Sequence, residues 1–199
     1  MKEINVFVTG GTGNVGSAIV EELIGEGYRV LVLCRSSGAV CRAEEMGAIA
    51  VKGDLDHSAL WLNQLDDVEA LIHTGCSFEA DMAKTDYNFV TQLIGYNENR
   101  ARPLTLLYTS GCWNYGSHQN QITETTPKES IPDFQWMLDH IQMIKRSSTL
   151  DVRVVSPANV VREEEYYVPP ILLWELERAG QPTVLGHLSI RGHWLNVEI

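Results

Sequence analysis

The sequence predicts an α/β protein, a doubly wound parallel sheet held between helices in three αβα layers. Three observations carry this expectation. Strand-like and helix-like stretches alternate along most of the chain, the order that βαβ units and a parallel sheet require. The strand-like stretches are short and almost continuously apolar, as strands covered on both faces are. The first of them runs into the first helical stretch through TGGTGNVG, with glycines at 10, 13 and 16.

The elements follow in order. INVFVTG (4–10) is the first strand. NVGSAIVEELIGEG (14–27) puts Val15, Ala18, Ile19 and Leu23 at helical spacing, and Gly25 and Gly27 stop the helix. YRVLVLCR (28–35) is a second strand, SGAVCRAEEMG (37–47) a weaker helix and AIAVKGDL (48–55) a third strand. DHSALWLNQLDD (56–67) opens on an Asp cap and is expected to be a helix. VEALIHTG (68–75) is the fourth strand, and 80–101 forms one long helix ahead of Pro103. LTLLYTSG (104–111) is the fifth strand; 112–132 is a polar, turn-rich loop of the kind that covers sites. DFQWMLDHIQMIKRSST (133–149) is a helix and DVRVVSPANV (151–160) a sixth strand. A last helix over 169–180 begins with two prolines, and PTVLG (182–186) is a short strand. Right-handed crossovers put helices on both faces, and ligands of such sheets bind beyond the carboxyl ends of the strands.

Bulk properties narrow the function. The 199 residues suit one domain, residues 1–199, with 160–199 as a reduced second lobe. The net charge of −11 argues against nucleic acid or an anionic membrane as a partner. The sequence has no apolar run of about eighteen residues and no leader pattern at its start. Cys34, Cys41, Cys76 and Cys112 are widely spaced, so neither a metal site nor a disulfide framework is expected. Reduced thiols in a cytoplasmic protein are the expectation.

The glycine loop has a physical purpose. The turn is tight, the backbone must approach a pyrophosphate, and the helix must pack close to the strand. The N-terminus of the first helix offers free N–H groups and a positive dipole end to phosphate. Gly10, Thr12, Gly13, Asn14, Val15 and Gly16 are therefore candidate cofactor-binding residues of a Rossmann-type site. At the end of the second strand Cys34 stands where NAD binders usually carry an acid, and Arg35 and Ser36 follow. Arginine pairs bidentately with phosphate, which favours NADP(H) over NAD(H). The alternative is that Arg35 is a solvated loop charge.

Several motifs, taken together and in order, resemble the short-chain dehydrogenases/reductases of the extended or atypical kind, the NAD-dependent epimerase/dehydratase family. VFVTGGTGNVG resembles the family's glycine loop. KGDLDH resembles its adenine-side motif, which implicates Asp54 and Leu55; the alternative for Asp54 is a loop or helix cap. ALIHTGCS resembles the strand that lines the nicotinamide ribose, implicating Thr74 and Gly75 for the cofactor and Cys76 for the substrate pocket. DYNFV resembles the helix with a structural Asn, here Asn88. LLYTSGCWNYG resembles the segment that ends in the catalytic Ser, here Ser110. Tyr115 and Trp113 in the same segment are implied pocket residues. VRVVSPANVV resembles the family's sixth strand, with Asn159 at the pocket.

The resemblance fails where the chemistry is expected. The family carries Tyr-x-x-x-Lys on the helix after the long loop. Twenty-six residues beyond Ser110 stands Trp136, and four further His140. An indole N–H only donates, so the tyrosine role is lost at that position. His140 can titrate and shares a helix face with Trp136; it is either a substitute proton carrier or a helix histidine without a role. Tyr115, Tyr166 and Tyr167 are nearby alternatives, and His187 and His193 lie on the tail. The tail resembles the start of the family's substrate lobe and then stops.

Three functions remain open. One is an NADP(H)-dependent oxidoreductase on a small carbonyl or hydroxyl substrate, with Ser110 holding the oxygen and His140, Tyr115 or water handling the proton. Another is a non-redox cyclase, isomerase or dehydratase using Ser110, Trp136 and His140 as donors. The last is an inactive dinucleotide-binding regulator. The resemblance also implies a homodimer through helices 81–100 and 133–149.

Overall fold

A computed structural model describes residues 4–77, 79–119, 121–157, 160 and 197–198. Strands β1 (Asn5–Thr9), β2 (Arg29–Cys34), β3 (Ile49–Lys52), β4 (Ala70–His73), β5 (Leu104–Thr109) and β6 (Leu150–Val155) form one parallel sheet in the order β3-β2-β1-β4-β5-β6. A two-residue strand β7 (Val197–Glu198) adds antiparallel to β6, Val155 facing Val197. The helices are α1 (Asn14–Gly25), α2 (Ser37–Glu45), α3 (Met82–Asn97) and α4 (Gln135–Arg146). The doubly wound expectation is met. The expected helix over 169–180 and strand over 182–186 lie outside the described residues, as does most of the expected second lobe.

Both faces of the sheet are buried, which explains the continuous apolar runs. In β1 and β2, Val6, Val8, Val30 and Val32 pack on one side with Val20 of α1 and Ala39 and Ala43 of α2. Phe7, Leu31 and Leu33 point the other way, into a core with Phe89, Val90 and Leu93 of α3 and Met137, Ile141 and Ile144 of α4. Period-2 alternation is preserved in the backbone, but both sets of side chains are apolar.

The helix ends follow their glycines. Gly27, at φ 83°, donates its N–H to Ile24, and Tyr28 donates to Leu23, a Schellman closure of α1. Gly47, at φ 86°, repeats it on α2 with Glu44, and Ala48 donates to Ala43.

One predicted element is different. The stretch 56–67 is not an α-helix but two 3₁₀ turns, Ser58–Leu60 and Leu62–Leu65, broken at Trp61. Trp61 is 2% exposed and stacks between Phe7 (5.1 Å) and Phe89 (5.9 Å). Its indole N–H donates to the Asp54 carbonyl at 2.7 Å. Burying that ring outweighs the few hydrogen bonds of a continuous helix. The ring also reaches Gly53, where a Cβ would lie 2.6 Å from Trp61 Cδ1. Among the described residues no helix is long and apolar enough to cross a membrane.

Glycine positions separate by what surrounds them. A Cβ on Gly16 would lie 2.1 Å from the Gly10 carbonyl oxygen, whereas one on Gly25 meets nothing within 4 Å. Gly16→Ala is expected to destabilise the fold by about 2–3 kcal/mol through overpacking. Gly25→Ala is expected to be neutral or to stabilise by about 0.5–1 kcal/mol. Denaturant unfolding of the two variants checks this, and equal midpoints would contradict it.

Candidate active site

The loops after β1, β2, β4 and β5 all open at the carboxyl edge of the sheet. The glycine loop is held there by three steric facts. Gly10 turns at φ 70°, and a Cβ on it would lie 2.7 Å from the backbone of Thr74 and Gly75. Gly16 rides directly over the Gly10 carbonyl. Gly13 donates to that same carbonyl at 3.0 Å and accepts from Ser17 N–H at 2.8 Å. Gly13 is exposed, and the nearest atom to a Cβ on it is 3.3 Å away. That is a tight approach to the Gly10 carbonyl oxygen, so a side chain on Gly13 would press on the same turn. No side chain caps α1, so the first-turn amides around Asn14 and Val15 and the positive end of the helix are available to an anion. Thr12 is half-buried beside them. Gly11 was not singled out by sequence, yet a Cβ on it would meet Val32 Cγ1 at 2.8 Å; the paired glycines were the available signal.

The end of β2 lacks an acid. Cys34 is 1% exposed and points into the core, its thiol donating to the carbonyls of Val32 (3.4 Å) and Ala39 (3.5 Å). Burial pushes its pKa up. Arg35 is exposed. The Ser36 hydroxyl caps α2, accepting from Ala39 N–H at 3.2 Å. Asp54 uses one oxygen as a cap: Oδ1 accepts the backbone N–H of His57 and lies 2.8 Å from its ring Nδ1. Partial burial would raise the Asp54 pKa, but these bonds hold it lowered. Leu55 leans toward Gly75, where a Cβ would lie 3.2 Å from Leu55 Cδ1 and 3.4 Å from Gly10 N. Asp54–Leu55, Gly10 and Thr74–Gly75 thus converge. The Thr74 hydroxyl donates to the Thr9 carbonyl at 2.7 Å and ties the two strand ends together.

Behind this edge runs a buried polar chain centred on Asp86. Asp86 Oδ1 lies 3.0 Å from His73 Nε2, and Oδ2 lies 2.6 Å from His140 Nδ1. Tyr108 donates its hydroxyl to Oδ2 at 2.9 Å. The far nitrogen of His73, Nδ1, lies 2.7 Å from Thr9 Oγ1. All five side chains are buried or nearly so. Burial alone would raise the Asp86 pKa, but the bonds from His140 and His73 and the charges these histidines can carry outweigh it and lower the pKa to about 2. The carboxylate is therefore ionised and acceptor-only, so each histidine must present an N–H to it. His73 is then left with a bare Nδ1 that accepts from Thr9. Tyr108 is pushed well above its ordinary value, first by burial and then by Asp86.

Sequence reasoning missed Asp86 and His73. The signal was present: Asp86 sits at helical spacing with Phe89, Val90, Leu93 and Asn97 on the buried face of α3, and His73 ends an apolar strand. A carboxylate on such a stripe needs partners.

The structure brings Ser110 to the same edge but gives it different company from His140. Ser110 is 4% exposed, and its Oγ accepts from the side-chain amide of Asn114. Ser130 donates to Asn114 Oδ1 at 3.1 Å and fixes that amide. The hydroxyl proton of Ser110 is left to donate. Trp113 stacks on Phe134 (4.5 Å) and lies over Gly111, where a Cβ would meet its ring at 2.3 Å. Trp136, half-buried, lies 6.4 Å from Phe134 and 5.1 Å from the His140 ring. Its N–H donates to the Asp133 carbonyl at 3.0 Å, within its own helix start. Tyr115 is 7% exposed beneath the Lys128 ammonium, 5.6 Å from its ring. Cys76 is half-buried in the loop after β4 and contributes to the raised Tyr108 pKa. Asn159, Tyr166, Tyr167, His187 and His193 lie outside the described residues.

The sign of the Asp86 shift gives a prediction. With a folded pKa of about 2 against an ordinary 3.8, its stabilisation is fully present above 3.8 and is lost as pH falls through 2. Asp86→Asn is expected to cost roughly 3 kcal/mol at pH 7. The gap to the wild type should narrow as the pH is lowered toward 2. Unfolding midpoints across pH test this; a gap that is independent of pH would contradict it.

Comparison with known proteins agrees with this geometry. Residues 6–136 match the NAD dependent epimerase/dehydratase family. The chain is 28% identical over 142 residues to the sterol-4-alpha-carboxylate 3-dehydrogenase, decarboxylating, of Dictyostelium discoideum, covering 66% of this chain and 43% of that protein. It is 32% identical over 191 residues to an uncharacterized protein of Saccharomyces cerevisiae, covering 92% of this chain and 63% of that one. The chain thus spans less than two thirds of the length of either relative. In fold it is similar to UDP-glucose 4-epimerase from Brucella ovis, solved in complex with NAD, with a TM-score of 0.63 at 22% identity over 78% of this chain and 51% of that one. The glycine crossing, the strand order and the matched residues together mean that the chain belongs to the NAD-dependent epimerase/dehydratase family.

Proposed function

We propose that the protein is an oxidoreductase that binds a nicotinamide dinucleotide over the glycine loop and acts on a hydroxyl or carbonyl group of a small organic substrate. The observation that carries this reading is the close approach of the loops that follow the neighbouring parallel strands β1 and β4. Gly10 and Gly16 leave no room for side chains, while Gly13 and the start of α1, which no side chain caps, are exposed. That is a cradle for a pyrophosphate. Gly10, Thr12, Gly13, Asn14, Val15 and Gly16 would hold the phosphates, Asp54 and Leu55 the adenine side, and Thr74 and Gly75 the nicotinamide ribose side, with Cys76 at the substrate pocket. When bound, the dinucleotide supplies the hydride acceptor or donor.

The chain's own residues supply the rest. Ser110, oriented by Asn114 and Ser130, donates its hydroxyl to the substrate oxygen. Trp113, Phe134 and Trp136 form an aromatic wall beside it, suited to an apolar substrate body. The Dictyostelium relative is named for dehydrogenation of a sterol carboxylate, which is compatible with such a wall. The indole N–H of Trp136 is already bonded within its helix, which weakens the non-redox reading that needed it as a donor.

The reading includes NADP(H) in preference to NAD(H). Its support is the exposed Arg35 beside a Cys34 that is buried and offers no carboxylate to a ribose. The Brucella neighbour was solved with NAD, so the preference needs its own test. It also includes a cytoplasmic compartment, since the four cysteines form no disulfide with one another. A homodimer through α3 and α4 completes it; Tyr87 on α3 is 49% exposed.

Calorimetric titration of nucleotide-stripped protein with NADPH and then NADH tests the central claim. Binding of neither would sink it. Arg35→Ala is expected to weaken NADPH roughly tenfold, about 1.4 kcal/mol, and NADH hardly at all; equal losses would remove the NADP preference. Gly13→Ala should stay folded and lose affinity for both nucleotides. Light scattering at a monomer mass would contradict the dimer.

A further inference from the structure

We infer that His140 carries the proton of this reaction through its Nε2, and that Asp86 is the residue that positions it. The inference rests on the oxidoreductase reading above and names the group that stands in for the missing tyrosine and lysine.

Two histidines share the Asp86 carboxylate, and comparing them assigns the roles. His73 is 2% exposed, and both ring nitrogens are bonded, Nε2 to Asp86 and Nδ1 to Thr9. It has no nitrogen left for a substrate. His140 bonds Asp86 through Nδ1 alone. Its Nε2 has no hydrogen-bond partner among the described residues and is not one of their sealed, unpartnered polar atoms; the side chain retains 10% exposure. An ionised Asp86 requires the N–H on Nδ1, so neutral His140 presents a bare lone pair at Nε2. That is the tautomer a general base needs, selected by a buried carboxylate.

In the oxidative direction the substrate O–H bond breaks and an N–H bond forms on Nε2. The carbon gives up its hydrogen with both electrons to the oxidised nicotinamide. In the reductive direction His140 returns the proton to the oxygen. The alternatives are weaker: Tyr108 is bonded to Asp86 and pushed far up by burial, and Tyr115 lies under Lys128.

The ionisable groups facing His140 are Asp86 and Tyr87 of α3, with Tyr108 of β5 on the same carboxylate. His73 of β4 lies behind Asp86, Cys76 is near Tyr108, and Asp139 is the neighbour on α4 itself.

The experiment is nitrogen-15 NMR of histidine-labelled full chain, with His140→Gln assigning the signal. The expected spectrum has His140 protonated at Nδ1 and bare at Nε2. Adding NADP⁺ or NAD⁺ should shift that Nε2 and leave His73 unmoved, and Asp86→Asn should redistribute the tautomers. Oxidation of a panel of secondary alcohols gives the second readout. Wild-type kcat/KM should rise with a single deprotonation. His140→Gln should keep its dinucleotide affinity and lose about a hundredfold or more in turnover. Asp86→Asn should move the apparent pKa of the profile downward, a change a merely structural role would not produce. An Nε2-protonated His140, or His140→Gln with wild-type rate and profile, would overturn the inference. If the wild type binds dinucleotide and oxidises no alcohol, the oxidoreductase reading and the proton role fall together, whatever the tautomer.

Discussion

A single buried carboxylate organises the chemical half of this molecule. Asp86 accepts hydrogen bonds from β4, β5 and α4 while sitting on α3, and through His73 it reaches Thr9 at the end of β1. A buried charge without partners is among the most unfavourable things a protein can hold. Every element that supplies a donor is therefore held in register with the others. Thr9 at the end of β1 and the helix that carries His140 are linked by three hydrogen bonds in series, with Tyr108 as a branch on Asp86. A polar network that is fully satisfied specifies one arrangement of its members.

The glycine-loop half is organised by the opposite means, by the lack of side chains. Gly10 and Gly16 let the loop backbone meet itself and the Thr74–Gly75 backbone closer than any Cβ permits. Gly13 is exposed, with a Cβ position 3.3 Å from the Gly10 carbonyl oxygen. Thr9 and Thr74 join the halves: the Thr74 hydroxyl bonds the Thr9 carbonyl, and the Thr9 hydroxyl bonds His73. Thr74 is thus three hydrogen bonds from Asp86, by way of Thr9 and His73.

The replacement of the family's tyrosine and lysine looks less like loss in this setting. Trp136 no longer donates into the site, since its N–H bonds the Asp133 carbonyl. His140, however, is not an idle helix residue. It is held by the shortest of the Asp86 histidine contacts, 2.6 Å. Trp136 and Tyr87 flank its ring at 5.1 and 5.6 Å. A helix position that holds a lysine elsewhere in the family has here become one end of a histidine–carboxylate pair.

The sequence by itself determined the doubly wound sheet, the glycine loop and the order of the strands' loops. Those properties rest on local periodicity, on glycine geometry and on short-range connections, all of which are written in consecutive residues. It also put Ser110 and His140 forward as candidates by position. The break at Trp61 was decided by tertiary structure, because stacking between Phe7 and Phe89 competes with helical hydrogen bonds and neither ring is near it in sequence. The inward turn of Cys34, the capping role of Ser36 and the Asp54–His57 pair were decided there too. Above all, Asp86 acquired its meaning only on folding. Its partners stand 13, 22 and 54 residues away, and the hydrogen bonds that keep it ionised exist only when four elements close around it.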